Sequence, residues 1–205
     1  MSNNILARAE YKLYQKLRIS KLKNKTPTII ANNCNGGIMS HDLQLQFFSP
    51  TVNIGIWPED YLKFLKNIEH YLSVTPVDIH EQGYNGYYVR IDDIKVLYTH
   101  VKDYETGFNN WEKRKKRFNR DNLFVVFCDK MGVTYDMIKE FDELPFKHKV
   151  IFTHKPYPEF KSACYIKGFE DEGEVGILSD WKPGFFKRRY LDDFDSVAFL
   201  NGETY

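Results

Sequence analysis

The 205-residue sequence has few cysteines and no long apolar run. Cys34, Cys128 and Cys164 form no CxxC pair, so we expect neither a disulfide framework nor a cysteine-rich zinc site. No run approaches the ~20 apolar residues that cross a bilayer, and the N-terminal residues lack the apolar centre of a secretory signal. These absences predict a cytoplasmic protein with reduced thiols and no transmembrane segment.

The sequence also lacks an excess of charge. Its 29 Lys and Arg residues nearly balance 28 Asp and Glu residues, which leaves a formal net charge of +1 and argues against a nucleic-acid binder. There is no HExxH motif and no Cys/His pair at ligand spacing, so we expect no metal and no other cofactor. Aromatic residues are abundant at 16% and suit ring-shaped ligands as well as a core.

A basic helix is predicted at the N-terminus, over Ile5–Lys23. Leu13 and Leu17 belong to an apolar stripe near helical spacing, and lysines and arginines cover the remaining surface. We assign residues 1–25 to a helix that packs on the domain and residues 26–205 to a single α/β domain. The alternative for this helix is peripheral contact with a membrane or an acidic partner.

The stretch Thr26–Trp57 predicts a βαβ unit. A short apolar run leads into a turn rich in Asn and Gly, an amphipathic segment follows, and a second apolar run covers Thr51–Trp57. Strands and helices continue to alternate along the chain. We therefore expect an α/β protein with a Rossmann-like layered fold, in which helices flank a mostly parallel central sheet.

Four residues at the ends of predicted strands are candidates for catalysis: Cys34, His100, Asp129 and His154. In a parallel sheet such residues meet at one edge. Cys34 is the candidate nucleophile, with His100 or His154 as base and Asp129 as the residue that orients the base. The alternative is that Cys34 is a packed residue of the turn, since cysteine is often buried.

Two groups of residues are candidates for ligand binding. In the turn, we expect Asn33 to shape a ligand pocket. Gly36 and Gly37 would let backbone N–H groups approach a phosphate. The alternative is a tight turn, which would use these glycines without any ligand. On a helix predicted over Tyr104–Arg120, Trp111 would stack on a ring. Arg114 and Arg117 would bind phosphates, unless this is simply a solvated helix face.

Several sequence blocks resemble a known bacterial family. These are NNCNGG, FFSPTVNIGIW, WEKRKKRFNRDNLFVVFCD, FDELPFKHKVIFT and the terminal FLNGE, in that order. They are similar to domain of unknown function 1919, whose members are often labelled exopolysaccharide or capsular polysaccharide biosynthesis proteins. This chain has Asn35 where the family pattern often has an aromatic residue.

The resemblance implies a role in surface-polysaccharide assembly. The protein would then act on a nucleotide sugar or glycan intermediate as a metal-independent transferase, with His100 or Asp129 as base. Two alternatives stay open: a Cys34-dependent acyltransferase or hydrolase, and a non-catalytic carbohydrate-binding or scaffolding protein. An α/β fold alone does not choose among them.

Overall fold

The computed structural model describes residues 2–184 and 186–203, and side chains from residue 7 onward. The helices in this part are α1 Ser2–Lys21, α2 Asn35–Asp42, α3 Pro58–Lys66, α4 Ile68–Ser73, α5 Tyr104–Lys115, α6 Tyr135–Glu143 and α7 Ser196–Leu200. The strands are β1 Thr28–Ala31, β2 Ile54–Ile56, β3 Val77–Gly83, β4 Gly86–Ile91, β5 Ile94–Thr99, β6 Leu123–Cys128, β7 His148–Thr153 and β8 Ala163–Tyr165.

Four strands form a parallel sheet in the order β1-β6-β7-β8. Every residue of β6 is buried, as expected for a continuous apolar strand that is covered on both faces. The register places Ala31 beside Val126 and Phe127 beside Ile151. The carboxyl ends of β1, β6 and β7 therefore lie at one edge of this sheet.

The other four strands form an antiparallel sheet in the order β2-β5-β4-β3. The expected βαβ unit over Thr26–Trp57 is thus wrong, because β1 and β2 lie in different sheets. Ile54 of β2 pairs with Tyr98 of β5. In this position the buried Ile54 and Ile56 extend the apolar inner face of the β4–β5 hairpin, where Val96 is fully buried.

Alternate residues of β6 face two separate cores. Val125 and Phe127 pack with residues of the antiparallel sheet, α3 and α5, whereas Phe124 and Val126 pack with residues of α2, α7 and the segment after α1. The α/β class with a parallel sheet is confirmed. The expectation of one mostly parallel sheet is corrected, since half of the described strands are antiparallel, and the whole is not a clear Rossmann fold.

Helix α1 contacts the C-terminal part of the chain through two ion pairs. Arg18 Nη1 lies 3.2 Å from Asp192 Oδ1, and Arg188 Nη2 lies 2.7 Å from Glu10 Oε1. Helix α5 ends at Lys115, earlier than the predicted Arg120. Among residues 2–184 and 186–203, no helix combines the length and the apolar character needed to cross a membrane.

Candidate functional site

Cys34 lies in the turn between β1 and α2, as the position before the first helical residue. Asn33 stabilises this turn, because its Oδ1 accepts a hydrogen bond from the backbone N–H of Asn35 at 3.0 Å. Short polar side chains commonly hold turns in this way. Cys34 is half-buried at the start of α2.

The imidazole of His100 contacts this thiol. His100 Nε2 lies 3.8 Å from Cys34 Sγ, within hydrogen-bonding distance for sulfur. On the other side of the ring, His100 Nδ1 lies 2.7 Å from the carboxamide nitrogen Nδ2 of Asn85. Thiol, imidazole and carboxamide thus form a continuous Cys-His-Asn arrangement, one of the known variants of the catalytic triad.

The antiparallel sheet positions both His100 and Asn85. Asn85 lies in the turn between β3 and β4, and His100 comes directly after β5. Both have a φ of 59°, a left-handed conformation uncommon for residues other than glycine. The backbone N–H of His100 donates to the carbonyl oxygen of Asn85 at 2.8 Å, which stabilises this pair of conformations. Strained backbone that surrounding contacts hold in place is typical of functional sites.

A cavity of about 260 Å³ opens beside Cys34. Its lining includes Asn32, Cys34 and Lys130, together with the exposed side chains of Met131 and Ile177. Asn32 is only 3% exposed, and its Oδ1 has no hydrogen-bond donor among the described residues. Buried polar atoms are normally paired, so this oxygen is a candidate contact for a ligand.

Asp129 and His154 form a second polar pair, at the carboxyl ends of β6 and β7. His154 Nδ1 hydrogen-bonds to Asp129 Oδ2, and both residues are buried. Burial raises the pKa of Asp129, an effect that the His154 hydrogen bond opposes. Since β7 is two strands from β1, His154 is about 10 Å from the Cys34 turn at the usual strand spacing.

The four catalytic candidates therefore separate into two groups. His100 contacts Cys34, although it arrives from the antiparallel sheet and not from the common edge of a parallel one. Asp129 binds His154 and so does not orient His100, whose partner is Asn85. The expectation was that all four residues meet at one edge of a parallel sheet. It is wrong for His100, which belongs to the other sheet, and wrong for Asp129 as the residue that orients His100.

Comparison with known proteins gives the family of the chain. A family model, Domain of unknown function (DUF1919), matches residues 5–201. The chain belongs to this family. It is also 42% identical over 182 residues to an uncharacterized protein of Haemophilus influenzae, an alignment that covers 88% of this chain and 87% of that protein.

In this DUF1919 member, Trp111 is a core residue. The side chain is 1% exposed and packs in the cluster between the two sheets. Its predicted role of stacking on a ligand is corrected, because α5 turns the indole toward Tyr98 and away from solvent. The apolar surface of the Trp111 indole therefore packs against the protein core, although the helix that carries it is basic.

Arg114 and Arg117 bind the chain itself. Arg114 Nη1 donates to the carbonyl oxygen of Val52 at 2.6 Å, and Arg117 Nη1 donates to that of Phe47 at 3.1 Å. Both guanidinium groups thereby attach the segment between α2 and β2 to α5. Their role as phosphate ligands stays a prediction, and this internal contact is a structural reason for both arginines that needs no ligand.

Gly36 and Gly37 allow close packing of α2. A Cβ atom at Gly36 would lie 2.9 Å from Ala31 Cβ, and one at Gly37 would lie 3.3 Å from Val52 Cγ1. The first distance is shorter than real Cβ contacts, so helix and strand could not approach as they do with a larger residue. The glycines are thus explained by packing within α2, which differs from the tight turn that the sequence analysis offered as the alternative.

The site also contains residues that the sequence prediction missed: Asn32, Asn85 and Lys130. The Asn85-Gly86 dipeptide is a typical hairpin turn signal. It marks the turn before β4, which pairs with β5 so that Asn85 lies near the end of β5 and close to His100. No comparable signal marks Asn32 or Lys130. Within the described ranges, no group of three His, Cys, Asp or Glu side chains is arranged to hold a metal ion.

Proposed function

We propose that the protein is a cysteine-dependent acyltransferase or hydrolase with Cys34 as nucleophile, His100 as base and Asn85 as the residue that positions the base. The observation that carries this proposal is the contact chain from Cys34 Sγ to His100 Nε2 at 3.8 Å and from His100 Nδ1 to Asn85 at 2.7 Å. The first contact matches the nucleophile and base that such chemistry needs, and the second holds the imidazole ring beside the thiol.

The reaction proceeds in two steps. His100 Nε2 accepts the thiol proton, and the Cys34 sulfur attacks a carbonyl carbon, forming a C–S bond while the C–O or C–N bond to the leaving group breaks. The leaving group takes the proton from His100. Water or an acceptor alcohol, deprotonated by His100, then attacks the thioester and releases the thiol.

For this chemistry the orientation of the Asn85 carboxamide matters. With its Oδ1 toward the ring, the carboxamide accepts the proton of Nδ1 and leaves Nε2 free to accept the thiol proton. The structure places Asn85 Nδ2 against Nδ1, an orientation that puts the proton on Nε2, so the carboxamide must rotate for His100 to act as base. The two orientations have nearly the same shape, so a single rotation of the amide selects the active tautomer.

The polysaccharide transferase stays a prediction that rests on the family resemblance. The residues assigned to its donor phosphates, Arg114 and Arg117, bind backbone carbonyls, which ranks it behind the Cys34 chemistry. Glycan acylation would satisfy both proposals. We also propose a cytoplasmic location, which the unpaired thiols support. The parallel sheet would bind its ligand at the carboxyl ends of its strands, as Rossmann-like folds do, and the position of Cys34 just past β1 supports this.

The test uses 4-nitrophenyl acetate as a simple acyl donor. We expect a burst of nitrophenolate and an acetyl group on Cys34 in the intact-protein mass spectrum. Both should be lost in Cys34→Ala, retained in the Cys164→Ala control, and slowed about 100-fold or more in His100→Ala. Acetylation elsewhere, or an equal rate in His100→Ala, would refute the proposal.

A further inference from the structure

Lys130 distinguishes the cavity beside Cys34 from a generic apolar cleft. It is the one charged side chain in the described lining, and it is half-buried. No carboxylate oxygen of the described residues lies within 4.0 Å of its amino group. A lysine at a cavity wall without a carboxylate partner is available to pair with a ligand that carries negative charge.

The neighbouring carboxylates have other partners. Glu174 accepts a hydrogen bond from the backbone N–H of Met131 at 2.7 Å, and Asp129 is bound to His154. At the adjacent thiol of Cys128, which also lines the cavity, burial raises the pKa, and the positive charge of Lys130 opposes that rise. The cavity therefore has a positive side.

The rest of the lining limits the size and the character of the ligand. About 260 Å³ lies below the roughly 300–1,000 Å³ typical of pockets for drug-sized molecules, so the cavity matches a small substrate. Met131 and Ile177 are 44% and 59% exposed at the cavity and present apolar surface.

From this combination we propose that the substrate of Cys34 is a small acyl compound that carries a negatively charged group. Lys130 binds the charged group, and Met131 and Ile177 contact the aliphatic part of the substrate. The inference rests on the proposed function and adds the class of substrate. A carboxylate is the simplest such group, since a lysine ammonium binds it as a point charge.

Two alkylating reagents of similar size but different charge provide the test. Iodoacetate and iodoacetamide both form a C–S bond at a thiol with loss of iodide, and only iodoacetate is an anion. Mass spectrometry gives the rate of alkylation of Cys34 by each reagent, and the ratio of the two rates is normalised to the ratio for free glutathione. Because both reagents meet the same thiol and the same His100, the ratio isolates the charge of the cavity.

We expect the ratio for the native protein to exceed that in Lys130→Gln by about threefold or more at low salt. Lys139→Gln is the matched control, since it removes the same charge from an exposed position on α6 and should leave the ratio unchanged. Raising the salt to ~0.5 M should lower the ratio of the native protein, a readout that needs no variant.

The outcomes separate this inference from the function on which it rests. If Cys34 reacts readily with iodoacetamide but the ratio is the same in native protein and Lys130→Gln and insensitive to salt, the anionic substrate is refuted and the nucleophile stands. If Cys34 reacts with neither reagent, both proposals fail.

Discussion

Asn85 contacts His100 at two points. Its backbone oxygen accepts the His100 N–H at 2.8 Å, and its carboxamide lies 2.7 Å from His100 Nδ1. One residue therefore holds both the backbone and the ring of His100, and the ring in turn meets Cys34. The orientation of the candidate base depends on a turn of the antiparallel sheet, although the nucleophile belongs to the parallel one.

The double contact predicts the effect of Asn85→Ala. The imidazole would lose its side-chain partner, so we expect the rate of Cys34 acetylation by 4-nitrophenyl acetate to fall about 10- to 100-fold. Tyr84→Ala is the matched control, because Tyr84 is 95% exposed on the same turn and should be neutral. Equal rates in both variants would contradict a positioning role for Asn85.

The three thiols should differ in reactivity. Burial raises the pKa of Cys128 to about 12 and that of Cys164 to about 11. At about pH 8, only about one Cys164 side chain in a thousand would be a thiolate. We expect iodoacetamide to alkylate Cys34 first in the folded protein, as followed by peptide mass spectrometry. Faster labelling of Cys164 would contradict the structure.

The pKa of Asp129 predicts a pH dependence of stability. Burial raises this pKa above 3.8, so the neutral acid favours the folded state and its contribution is lost as the pH rises through the raised pKa. The free energy of unfolding of the native protein, minus that of Asp129→Asn, should decrease as the pH rises from about 4 toward neutrality. Urea unfolding of both proteins measures this difference. A constant or increasing difference would mean that the hydrogen bond from His154 outweighs burial.

The close approach of α2 to β1 predicts that Gly36→Ala destabilises the protein. The new Cβ would lie 2.9 Å from Ala31 Cβ and 3.1 Å from Ile29 Cγ2, and such overpacking costs about 1–3 kcal/mol of the free energy of unfolding. At Gly55 the nearest atom would be 3.7 Å away, an ordinary contact, so Gly55→Ala is the control and should be tolerated. Urea unfolding distinguishes the two, and equal stabilities would refute the packing role of Gly36.

Arg114→Ala should reduce stability without affecting ligand binding. The change leaves the Val52 carbonyl without its donor and should cost about 1.5–3 kcal/mol. Arg120→Ala is the control and should cost less than about 1 kcal/mol, because Arg120 and its partner Glu69 are both 62% exposed. Thermal unfolding with and without a nucleoside diphosphate measures both effects. Stabilisation by the nucleotide that disappears only in Arg114→Ala would restore the transferase hypothesis.

The sequence by itself determined the local elements and much of the nucleophile's surroundings. Hydrophobic periodicity predicted the N-terminal helix, the helix that begins at Tyr104 and the turn that carries Cys34, because these depend on contacts between near neighbours in the chain. The sequence blocks also identified the family.

Only the tertiary structure decided which strands share a sheet and which side chains meet. Apolar alternation does not say whether β2 pairs with β1 or with β5, since either choice buries Ile54 and Ile56. That pairing brings His100 to Cys34, separates both from Asp129, and buries Trp111 between the sheets. The candidate site arises from contacts between residues 34, 85 and 100, and long-range pairing of this kind leaves no mark in the local pattern.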